Sequence, residues 1–118
     1  MPQRTSLYAA HLAAGARLVD FAGWEMPVHY GSQIEEHHAV RRDAGLFDVS
    51  HMGQARLRGA DPLASFERLT PGDFSGLKAG KQRYSVLLNA TGGIIDDLMA
   101  ARPDADGLFV VVNGACKD

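Results

Sequence analysis

Residues 84–113 read YSVLLNATGGIIDDLMAARPDADGLFVVVN. Three apolar runs are separated by ATGG and by DADG. Apolar segments punctuated by Gly, Asn and Asp predict strands joined by turns: YSVLLN, IIDDLMAARP and LFVVVN. That meander decides the fold class. Its middle strand carries two adjacent carboxylates, Asp96 and Asp97. Side chains alternate along a strand, so Ile94, Asp96 and Leu98 share one face, and Ile95, Asp97 and Met99 the other. The two acids point opposite ways and cannot share a proton. An unpaired charge in a dry interior costs several kcal/mol, or its pKa moves until it neutralises. Two readings stay open. Either the strand is an edge whose acids are solvated or cap the turn after Gly93, or one carboxylate is aimed into an apolar pocket that holds a polar organic ligand.

The upstream sequence supplies helices. LYAAHLAAG predicts a short helix capped by Thr5 or Ser6, running to about Ala14 and stopped by Gly15. ARLVDFAGWEMPVHYG predicts a strand near 16–20 and then an ordered loop punctuated by Gly23, Pro27 and Gly31. Ser32 stands three residues before Glu35, a capping box, and predicts a helix from about Gln33 to Ala44 with Gly45 as its stop. A strand is expected from Met52 to Arg58. ADPLASFERLTPG places Asp61 as a cap and Pro62 at the first helical position, with Leu63, Phe66 and Leu69 as a buried stripe. DFSGLKAGKQR reads as loop. Helices and strands in this order predict an α+β fold with a largely antiparallel sheet.

Composition narrows the function classes. The chain has 118 residues, enough for one domain or a piece of one, with 46% hydrophobic and 22% charged residues. That is ordinary for a globular protein. The formal net charge is −2, with no block of basic residues, so nucleic acid is not an expected partner. No apolar run approaches the roughly 20 residues of a membrane span, and the N-terminus has no secretory signal pattern. A single cysteine, Cys116, fits a reducing compartment. It has no evident activating neighbour except Lys117, so a structural role is expected. His37 and His38 diverge by about 100° on a helix, and His11, His29 and His51 are scattered, so no metal site is expected and the histidines are assigned surface or capping roles. Ser50 and His51 are adjacent and point apart, which argues against a nucleophilic pair. Trp24 and Met52 are expected in the core.

Several segments together resemble one family. VDFAGWEMPVHYGSQIEEHHAVRRDAGLFDVSHMGQ (19–54), NATGGIIDDLM (89–99) and LFVVVN (108–113) are similar, in order and spacing, to the T-protein of the glycine cleavage system, an aminomethyltransferase. The likeness runs from about Thr5 to Asp118. It implies that residues 1–118 are the N-terminal folate-binding portion of a three-domain, ring-like enzyme whose members are several times longer. The family moves a one-carbon unit from an aminomethyl group on lipoylated H-protein to tetrahydrofolate, releasing ammonia. The resemblance places the family's essential aspartate at Asp97, with Asp96 turned away toward a backbone or basic partner. Met52, Tyr84 and Asn113 match positions that line the folate pocket, with Val49 and Leu87 as further neighbours, and the pocket is expected to be dry. Gly114 stands where relatives often carry Ala. The partners implied are H-protein and folate, and the location is the bacterial cytoplasm or, in a eukaryote, the mitochondrial matrix. The 118-residue chain alone is expected to be inactive and to self-associate, with its C-terminal strand as an open edge. Two alternatives are a folate-dependent demethylase or oxidase folate domain, and a non-catalytic folate-binding protein of iron–sulfur cluster maintenance. DFAGWEMPVHYGSQIEEHHAVR favours the aminomethyltransferase over the last of these.

Overall fold

A computed structural model of the chain describes residues 1–116. The chain divides into two compact units, one spanning Met1–His51 and the other beginning at Met52. The architecture is α+β, and its longer strand pairings are antiparallel.

The first unit holds β1 (Gln3–Arg4), α1 (Tyr8–Ala13), β2 (Arg17–Phe21), β3 (Trp24–His29) and α2 (Gln33–Arg42). Its sheet has the order β1-β3-β2. The segment expected as a loop, WEMPVH, is the central strand of this sheet, paired with β2 from Phe21↔Trp24 onward. The connecting residues Ala22 and Gly23 both have positive φ, 51° and 81°, as a two-residue hairpin turn whose twist matches its strands requires. Ala22 hid that turn, because alanine rarely adopts φ > 0. The Gly23 N–H is held by Asp20 Oδ1 at 2.9 Å. Pro27, which lacks an N–H, is tolerated where the register shifts between Arg17 and Leu18. α1 has Leu7 at its N-cap and no side-chain cap, because the Thr5 hydroxyl is committed elsewhere, to Asp48. α2 is capped by Ser32, which accepts from the Glu35 N–H at 3.3 Å, and ends at Arg42, two residues short of expectation.

The second unit holds β4 (Gly53–Leu57), α3 (Pro62–Glu67), β5 (Lys81–Leu88), β6 (Ile94–Arg102), β7 (Leu108–Val112) and a 3-10 turn at Gly114–Cys116. The sheet order is β4-β7-β6-β5, antiparallel throughout. β7 therefore lies between β4 and β6 and is no edge, contrary to the expectation that the C-terminal strand is open to exchange. Asp61 caps α3 through the Ala64 N–H, with Pro62 in the first turn. Leu63 and Phe66 are buried with Phe74, Leu77, Leu98, Ala100, Leu108 and Val110 in one core cluster. Leu69 is 50% exposed. α3 ends at Glu67, so helical spacing no longer governs Leu69. Trp24 and Met52, expected in the core, are only half-buried.

Gly107 shows how tightly β4 and β7 approach. It is buried, its φ is 152°, and a Cβ there would stand 2.1 Å from the Leu57 carbonyl oxygen. Gly80 has φ 75° with nothing within 4 Å of such a Cβ. Gly80→Ala should therefore show strain alone, about 1–2 kcal/mol. Gly107→Ala adds overpacking against a rigid strand, about 1–3 kcal/mol more. Denaturant unfolding of the two variants checks that order, and equal losses would contradict it.

Candidate active site

The register of β6 separates its two acids. On the face covered by α3, Asp96 pairs with Leu87, Leu98 lies between Ser85 and Val112, and Ala100 pairs with Val110. On the opposite face Asp97 pairs with Val86, and Met99 lies between Tyr84 and Val111. Asp96 is 6% exposed, whereas Asp97 is exposed.

Asn113 reconnects the two acids. It stands one residue past the last β6–β7 pair, Leu98↔Val112, so strand alternation does not confine its side chain to one face. Its backbone N–H donates to Asp96 Oδ2 at 3.0 Å. Its Nδ2 donates to Asp96 Oδ1 at 2.8 Å, to Asp97 Oδ1 at 2.7 Å, and to the Asp97 carbonyl at 3.1 Å. Two N–H bonds thus serve three oxygens. The Tyr84 hydroxyl donates to Asp97 Oδ2 at 3.1 Å. Both carboxylate oxygens of Asp97 are therefore tethered by neutral donors, which orient the charge without cancelling it.

The titration behaviour follows from these contacts. Burial alone would push Asp96 up. The side-chain and backbone hydrogen bonds from Asn113, the Cys116 thiol and the Asp97 N–H outweigh it and hold Asp96 below the usual carboxylate range. The Tyr84 hydroxyl is pushed up by its hydrogen bond to Asp97, so it stays a donor. Cys116 is pushed up by burial and then by Asp96. Lys117, the one neighbour that could activate it, lies outside the described residues.

Of the residues expected at a folate pocket, the structure brings Asp97, Tyr84 and Asn113 together. Leu87 is not with them. It packs against the core cluster, on the face opposite Asp97, because it pairs with Asp96. Met52 is half-buried directly before β4, whose Gly53 pairs with Val112. Val49 is exposed and belongs to the first unit. Among the described residues, Asp97, Tyr84 and Ile95 are exposed.

The first unit contains a polar cluster that sequence reasoning missed. His11, assigned to the surface, is 6% exposed. Its Nε2 lies 2.8 Å from Asp48 Oδ2 and its Nδ1 2.7 Å from the Tyr30 hydroxyl. Thr5 donates to the same Asp48 oxygen at 2.8 Å, and the Ser50 N–H to the other at 2.9 Å. The Ser50 hydroxyl also donates to Asp48. The local Asp48–Ser50 turn was legible as an Asx pattern; the partners 37 and 43 residues away were not. Among the described residues of this unit only Thr5, His11 and Met26 are buried, so this network substitutes for a large apolar core. His37 and His38 stack edge-on with centroids 5.7 Å apart. Among the described residues no group of three or more His, Cys, Asp or Glu could hold a metal ion, and no helix is long and apolar enough to cross a membrane.

Comparison with known proteins gives a consistent result. Residues 7–118 match the family model described as GCVT N-terminal domain. The chain is 56% identical over 117 residues to an aminomethyltransferase of Bordetella petrii and 55% identical to one of Bordetella bronchiseptica, in each case covering 98% of this chain and 32% of the relative. It superposes with a TM-score of 0.90 and 38% identity on the crystal structure of glycine cleavage system aminomethyltransferase T from Bartonella henselae, again covering 98% of this chain and 32% of that one. The chain thus spans about a third of the length of the relatives it matches.

Asp48 generates a pH prediction for the first unit. Burial alone would raise its pKa, but the hydrogen bonds from Ser50, His11 and Thr5 outweigh it and hold the carboxyl well below its ordinary range. A depressed folded-state pKa contributes stability above the unfolded value, about 3.9, that is lost as pH falls below it. Trp24, the chain's single tryptophan, reports on this unit. Its urea midpoint should fall steadily from about pH 5 to pH 2. Asp48→Asn should lower the unfolding free energy at neutral pH by about 1–3 kcal/mol, and the midpoint with it, and should flatten the acid dependence. An unaltered acid limb in that variant would contradict the assignment.

Proposed function

Because the chain belongs to the GCVT N-terminal domain family, we propose that it supplies the carboxylate face of a tetrahydrofolate-dependent aminomethyltransferase of the glycine cleavage system. The observation that carries the reading is Asp97. Its carboxylate stands on the sheet face away from the core, both oxygens held by neutral donors, with Met99, Val86 and Val111 around it.

In the proposed reaction the aminomethyl carbon leaves the lipoyl sulfur of H-protein and its own nitrogen, and bonds to N5 and N10 of tetrahydrofolate. The two protons displaced from those nitrogens end on ammonia and on the released thiol, so the step balances without an oxidant or a metal. Asp97 orients the attacking pterin-side amine and stabilises the positive charge that develops on nitrogen. A fixed charge aimed at a developing one contributes most when it needs no reorganisation, and the tethers from Tyr84 and Asn113 supply that. Tyr84 and Asn113 also border the folate site, and Met52 flanks it. The rest of the enclosure, which excludes water and strengthens the field of the carboxylate, comes from the remaining two-thirds of a full-length enzyme. Isolated, the 118-residue chain is an inactive piece of that site.

Two measurements test the reading. Calorimetry on the 118-residue chain should give tetrahydrofolate binding weaker than about 1 μM, since an incomplete pocket buries little of the ligand; tighter binding would show the site to be whole. For activity, this segment replaces the matching third of the Bordetella petrii enzyme. The chimera should release ammonia from aminomethylated H-protein in the presence of tetrahydrofolate, and Asp97→Asn should reduce turnover by about 10²–10³. Turnover within a few-fold of the parent chimera would refute the role of Asp97.

A further inference from the structure

Asp96 has no task in the reaction above, yet it occupies a position where a carboxylate is expensive. It is 6% exposed, beside Leu87 and next to core residue Leu98. A buried charge does not by itself stabilise a fold, and apolar replacements of similar volume are often neutral or better. What Asp96 accomplishes is visible in its partners. It takes the backbone N–H of Asn113 on one oxygen and the side-chain Nδ2 on the other. A two-point grip of this kind fixes both the backbone and the side-chain rotation of Asn113. It also fixes which end of the amide faces the acids, since only the NH₂ end can donate to a carboxylate. The same Nδ2 then reaches Asp97 Oδ1 at 2.7 Å, while Tyr84 fixes the other Asp97 oxygen. Remove the grip and the amide can rotate, leaving an exposed Asp97 on one tether.

We propose that Asp96 is a positioning residue that acts on the transfer reaction through Asn113, setting the direction of the Asp97 carboxylate from the opposite face of the sheet. This rests on the aminomethyltransferase reading. The pair of acids is then one device: the buried acid aims the amide, and the amide aims the exposed acid. Asp96→Asn preserves size but sets an NH₂ group against one of the two Asn113 donors, which breaks the grip.

The test is a double-mutant cycle in the active chimera. Asp96→Asn should lower kcat at least about tenfold with KM for tetrahydrofolate within about twofold, the pattern of a lost transition-state interaction. In the Asp97→Asn background the same change should cost nothing further, because residues that act through one another are not additive. An unchanged kcat, a loss confined to KM, or losses that multiply would each overturn the proposal. An inactive parent chimera counts against the functional reading alone. The positioning claim is then decided on the 118-residue chain, from the exchange of the Asn113 side-chain amide protons with water. They should be protected in the parent and in Asp97→Asn, and exchange like an exposed amide in Asp96→Asn. Retained protection in Asp96→Asn would refute it.

Discussion

One side-chain amide carries the organisation of the candidate site. Strand alternation sends adjacent acids to opposite faces of a sheet, so their two carboxylates do not meet directly. Asn113 does so because it lies just beyond the last paired residue of β7, where its side chain can reach both Asp96 and Asp97. The geometry depends in turn on β7 being an inner strand. β4 and β6 hold it from both sides, and the close approach at Gly107 sets its start against Leu57. Core packing on one face thereby fixes a polar constellation on the other.

The two units solve stability differently. The second buries a continuous apolar cluster beneath α3. In the first, Met26 is the one buried apolar side chain among the described residues, and cohesion runs through Asp48, which gathers Thr5, His11 and Ser50 around a single carboxylate. Each unit therefore carries an acid held below its usual range by neutral or histidine donors, one in a structural knot and one beneath the candidate site. Of the adjacent pair on β6, Asp97 is the exposed carboxylate.

Much of this was legible in the sequence. The meander, the Asp61 and Ser32 caps and the opposite facing of Asp96 and Asp97 follow from local chemistry and from a side-chain period of two. The family resemblance reached Asp97, Tyr84 and Asn113, which the structure brings together. Other features required contacts that no local pattern encodes. Alanine at a positive-φ turn position concealed the β2–β3 hairpin. Leu69 kept a helical spacing after the helix had ended. Leu87 was expected as a further neighbour of the folate pocket; its register pairs it with Asp96, and it packs against the core cluster. His11 had no local signal, because its partners lie 19 and 37 residues away. The bridging of both acids by one amide was equally hidden, since Asn113 leaves the alternation that made the rest of the strand readable.

The central claim is that bridge, and it can be observed directly in the 118-residue chain. Scalar couplings across hydrogen bonds, measured by NMR between the Asn113 nitrogens and the side-chain carboxyl carbons of the two aspartates, report each contact separately. Couplings are expected from both the backbone nitrogen and Nδ2 of Asn113 to the carboxyl carbon of Asp96, and from Nδ2 to that of Asp97. Coupling to one aspartate only, or to neither, would contradict it.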